Sequence, residues 1–149
     1  MNDYLYSQRY GAYVNEKFGD QKYGLNMANA GCVITCCAML ISYFNDKALY
    51  PDQFLIWLKA HNGLTSDGRL YWNKVCEATA NKLRFSYKND VRPGETTYTL
   101  RQVYFGRLNH WVMDSPTKIG MIIDPWDGQV KYYSFYRYTG QHRYFHGCA

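Results

Sequence analysis

A chain of 149 residues, 47% of them hydrophobic, has room for one compact domain with its own core and not for two, so the sequence reads as a single domain over residues 1–149. Its formal charge of +5 is spread as isolated Lys and Arg residues among Tyr and Phe, a mild attraction to anionic surfaces. Without a recognisable binding motif it argues against specific nucleic-acid recognition. No apolar run approaches the roughly 20 residues of a membrane helix, and the opening "MNDYLYSQRY" lacks the basic start and apolar stretch of a secretory signal. The expectation is a soluble protein, cytoplasmic when synthesised, that reaches the outside only in a virus particle or by lysis.

In chain order, the first thirty residues are rich in Tyr, Gly and Asn and read mostly as loop. From Gly31 to Phe44 no Gly or Pro interrupts the run and apolar residues occupy all sides, which predicts a helix buried at the centre of the domain. Pro51 suits the first position of a second helix, "PDQFLIWLKAH", with acidic Asp52 in its first turn and His61 as a cation at its end. A third helix is expected around "LYWNKVCEATANK", with Leu70, Val75 and Cys76 inward. After Leu83 the period changes. "LRFSY", "TYTLRQVYF", "NHWVMD", "KIGMIID" and "QVKYYSFYRY" are β-branched and aromatic segments separated by turn residues, an antiparallel sheet. Helices followed by strands make an α+β domain.

The five cysteines are an odd number, and a disulfide framework is not expected, although a single bridge using Cys148 stays open. Three of them lie in "NAGCVITCCAML". Cys32 stands at the helix start, where the partial positive charge of the helix stabilises a thiolate, directly after a glycine that lets the chain turn in closely. Cys36 and Cys37 lie one turn deeper, where burial keeps them neutral and inert. A nucleophile needs a base and something to orient that base. His110 sits in one strand and Asp124 ends the next. A hairpin turning about Thr117 would set them directly opposite each other, with Cβ atoms about 5 Å apart. Asp127 is an alternative orienter, although Asp127-Gly128 is already a turn signal.

"GCVITCCAMLISYF" together with "HWVM" and "IIDPWDG" resembles the C39-like branch of the papain-like cysteine peptidases, in which a Gly-Cys helix start is followed by a His strand and an Asp-Pro-aromatic turn. The resemblance extends to "YSQR", where the family commonly places a glutamine ahead of the nucleophile, and spans Tyr6 to Gly128. It implies the papain-like fold, a helical half whose central helix carries the cysteine and a sheet that carries His and Asp. It also implies Cys32 as nucleophile, His110 as base, Asp124 as its orienter and Gln8 as oxyanion donor, with Gln21 as a competitor for the last role. The chain departs from the family at Val33, where glycine is usual, so the backbone beside the nucleophile is more crowded.

The expected function is hydrolysis of an amide bond in a peptide, protein or peptidoglycan substrate through an acyl-thioester, without cofactor or metal. The alternatives are a catalytically silent protein of the same fold that neutralises a host or partner protein, and a wall- or sugar-binding module using the Tyr-rich surface. Zinc is not expected, because Cys76 and Cys148 stand alone and no second ligand pair accompanies Cys32, Cys36 and Cys37. His142 and His146 read as surface or packing histidines.

Overall fold

The computed structural model describes residues 2–148. Four helices, α1 (Met27–Ala30), α2 (Cys32–Asn45), α3 (Pro51–Ala60) and α4 (Asn73–Ala78), precede six strands. The strands are β1 (Leu83–Ser86), β2 (Thr96–Phe105), β3 (Leu108–Asp114), β4 (Met121–Asp124), β5 (Gln129–Tyr132) and β6 (Tyr138–Gly147). They form one sheet in the order β1-β6-β2-β3-β4-β5, with every neighbouring pair antiparallel. The class is α+β. Among the described residues no helix is long and apolar enough to cross a membrane.

Apolar on all sides, α2 has nowhere to go but the interior, and Ile34 through Ser42 are buried without a break. It packs against α3 on one side and β3 on the other, with Met39, Leu40 and Ile41 meeting Phe54, Leu55, Leu58, Leu100, Met113 and Ile123 in one core. A smaller cluster of Val103, Val112 and Ile122 forms on the sheet's second face, covered by Tyr136 and Tyr138. Strand alternation explains the split: Val112 and Ile122 point away from the face that Met113 and Ile123 present to α2.

Two expectations need correction. The third helix is limited to Asn73–Ala78, because Leu70 is drawn into an isolated bridge with Leu64 and because Ala80 and Asn81 take left-handed conformations (φ 53° and 59°) that end the helix. The segment "QVKYYSFYRY" is not one strand: it divides into β5, a 3-10 turn over Tyr133–Phe135 and the start of β6. His142 and His146, read as surface or packing histidines, lie on β6, an interior strand between β1 and β2, and His146 is buried. Arg101 pairs with His142 but Val103 pairs with Tyr138, and the extra β6 residues bulge out at Gly140, whose φ of 91° suits glycine.

Candidate active site

Cys32 is the first residue of α2, half-buried at the rim of a cleft of about 940 Å³. Gly31, which joins α1 to α2, has no substitute: a Cβ there would lie 2.5 Å from the Met27 carbonyl oxygen. No side chain caps the first turn of α2, so its positive end is left to act on Cys32. One turn further in, Cys36 and Cys37 are fully buried, and burial holds both thiols well above their ordinary pKa range.

His110, on β3, is 4% exposed. Its Nε2 lies 2.7 Å from Asp124 Oδ1 on β4. An ionised carboxylate only accepts, so Nε2 carries the hydrogen and Nδ1 is the ring nitrogen left for Cys32, which is near enough to favour the charged imidazole. Burial alone would lower the imidazole pKa. The hydrogen bond to Asp124 and the neighbouring Cys32 outweigh burial and raise it to about 9. Phe105, Trp126 and Tyr136 pack around the ring at centroid distances of 5.0, 6.3 and 6.3 Å, which shields the pair from water.

The hairpin register differs from the sequence expectation. Met113 pairs with Ile123 and Asp114 with Ile122, so Asp124 stands across from Val112 and reaches His110 diagonally. The connection centres on Lys118 instead of Thr117: Ser115 N donates to Met121 O, Ser115 Oγ accepts from Thr117 N and Lys118 N, and Gly120 takes φ 77°. The shift is of two residues, and an even shift keeps both side chains on the same face.

Asp124 is fully buried and accepts from four donors: His110 Nε2, Trp126 N (3.0 Å), Lys131 Nζ (2.7 Å) and the Tyr136 hydroxyl. Burial pushes a carboxyl group's pKa up, but these hydrogen bonds hold Asp124 well below the ordinary carboxylate range. Asp127, the alternative orienter, instead pairs with Lys131 at 3.0 Å and accepts from Gln129 N in the β4–β5 turn.

Gln8 is buried against the same turn, where its backbone N–H donates to Pro125 O at 2.7 Å. Its Nε2 donates to Ala28 O (3.0 Å) and Met27 O (3.4 Å), just ahead of Cys32, while its buried Oε1 has no partner among the described residues. Gln21 lies in an exposed 3-10 turn and bonds only to nearby carbonyls. Val33 lines the cleft beside Cys32. Thus Cys32, His110 and Asp124 come together, and Gln8 approaches them with its amide hydrogens already engaged.

Lys131 and Tyr136 escaped the sequence reading. The Lys131 signal was present, because a β4–β5 hairpin that pairs Asp124 with Gln129 puts Lys131, two residues on, on the Asp124 face. Tyr136 had no such signal, since its position depends on the 3-10 turn before it. Among the described residues no group of three or more His, Cys, Asp or Glu is arranged to hold a metal ion. No protein-family model and no curated protein matches the chain.

Proposed function

We propose that this chain is a papain-like cysteine hydrolase, akin to the C39-like branch, that cleaves an amide bond in a peptide, protein or peptidoglycan substrate. The observation that carries the reading is one imidazole held at 2.7 Å by a buried carboxylate, its charge also favoured by a neighbouring thiol at a helix start that lines a cleft. In the proposed reaction the Cys32 proton passes to His110 Nδ1 and the sulphur attacks the substrate carbonyl carbon. The tetrahedral oxyanion faces the positive end of α2. Its collapse breaks the C–N bond as His110 protonates the leaving amine. Water, deprotonated by His110, then attacks the thioester, releasing a carboxylic acid and restoring the thiol. Asp124 stays ionised throughout and steadies the imidazolium.

A second reading, a catalytically silent partner-binding protein of the same fold, is favoured by Gln8, whose two amide hydrogens are spent on Met27 and Ala28 carbonyls instead of facing the cleft. An activity-based thiol probe separates the two. The hydrolase reading expects labelling at Cys32 that is lost in His110→Ala, whereas absence of labelling from pH 5 to 9 leaves the silent reading standing.

A further inference from the structure

The cleft that begins at Cys32 runs along the sheet face that carries Arg143 of β6. Three aromatic rings hold the guanidinium, its carbon lying 4.8 Å from the Tyr87 ring centroid, 5.2 Å from Trp111 and 5.7 Å from Trp72. Such rings fix the plane of a guanidinium and strip water from it without neutralising its charge. Nη1 donates to His142 O (2.8 Å) and to Gln141 Oε1 (3.3 Å). Nε is buried, and neither it nor Nη2 has an acceptor among the described residues.

The other arginines of the sheet are treated differently. Arg84 is bonded to Glu95 and Asp90, and Arg101 makes a two-pronged pair with Asp114 at 2.7 and 2.9 Å. Arg143 has no carboxylate within ion-pair distance among the described residues, and no Asp or Glu lines the cleft. Arg143 is half-buried and carries no counter-ion, so an anion entering the cleft would find an unpaired cation with free donors.

We propose that this cleft selects a carboxylate on the bound molecule and that Arg143 receives it, with Trp72, Tyr87 and Trp111 enclosing the ion pair. Calling that molecule a substrate rests on Cys32 acting as the nucleophile; the anion site itself does not. The carboxylate is either an acidic side chain or a chain-terminal group, since both present the same two oxygens to the guanidinium fork.

Two measurements test the proposal. In the first, the protein is titrated with acetyl-glutamate amide against acetyl-glutamine amide, and with acetyl-glycine against acetyl-glycine amide, while the Arg143 Nε–H and the Trp72 and Trp111 indole N–H resonances are followed by NMR. Only the carboxylate member of a pair should shift them, and the pair that responds identifies the source. Equal shifts from both members, or none, overturn the proposal.

In the second, internally quenched peptides carrying Glu or its isostere Gln at each position in turn are offered as substrates. One position should favour Glu by roughly 10- to 100-fold in kcat/KM, the range of a charge-assisted hydrogen bond. That ratio should fall towards one in Arg143→Met and be partly kept in Arg143→Lys. Cleavage that prefers neither Glu over Gln at any position nor a free over an amidated C-terminus in the unaltered protein overturns the proposal and leaves the hydrolase reading intact. Carboxylate-selective shifts without cleavage of any peptide support the anion site and count against the hydrolase reading.

Discussion

Cys32 and the Cys36–Cys37 pair lie one turn apart on α2, yet they occupy different chemical worlds. Cys32 has a helix terminus behind it, an imidazole beside it and a cleft in front. Cys36 has its Sγ 3.6 Å from the Trp111 carbonyl oxygen, and Cys37 is enclosed in the apolar core. A single helical turn separates a thiol with a base beside it from two without one, so position along a helix decides thiol chemistry more than cysteine density does.

The largest effect expected from breaking that contrast comes from His110. His110→Ala should slow acylation of Cys32 by substrate at neutral pH by about 10³- to 10⁴-fold, the usual scale for loss of a member of such a set, and its alkylation, which needs only the thiolate, by about 10- to 100-fold. Mass spectrometry after brief iodoacetamide treatment checks this, and comparable labelling of Cys36 or Cys37 in the folded protein would erase the distinction between the two turns. Next in size, Asp124→Ala leaves Lys131 and His110 facing an empty position and should cost about 3–5 kcal/mol in urea-induced unfolding, as removal of one partner of a buried pair does. A loss under 1 kcal/mol would mean that the four donors find water instead.

A smaller effect concerns pH. The His110 pKa is raised on folding to about 9 from an ordinary 6.5, so the folded state binds the proton more tightly than the unfolded chain does. The stability this contributes is complete below pH 6.5 and is lost as pH climbs through 9, on the order of 1–3 kcal/mol. Unfolding midpoints measured across that window should decline in the parent protein and flatten in His110→Gln; equal slopes would show that another group titrates. Smallest of all, Cys36→Ala should lower stability by about 1 kcal/mol, the scale of a small cavity, and leave the Cys32 alkylation rate unaltered.

The parts of the molecule most legible in the sequence were those governed by local rules. The uninterrupted apolar run of α2 and the Pro51 start of α3 follow from burial and capping, and the helix-start placement of Cys32 follows with them. His110 and Asp124 could be paired despite a register displaced by two, because strand parity survives an even shift. What escaped were positions that depend on distant chain. The polar positions of "YTGQHRYFHG" hid strand β6, since Gln141 is exposed and Arg143 borders a cleft instead of filling a core. The Tyr136 contact with Asp124 exists only because a 3-10 turn folds that side chain back.

The N-terminal segment carries one further consequence. Ser115 Oγ donates to Asp3 at 2.6 Å, Ser7 Oγ donates to the Trp126 carbonyl at 3.0 Å, and Gly128 lies so close that a Cβ would come within 3.2 Å of the Tyr6 backbone. The first contact joins positions 112 apart in sequence, and the second joins positions 119 apart. Loop closures of that span are slow and entropically expensive, so they fall late in folding. On a ribosome, the strand that carries Asp124 would gain its N-terminal clasp only after Trp126 had emerged. Such ordering would delay assembly of the thiol, imidazole and carboxylate set until the β4–β5 turn had emerged to meet residues 3–8.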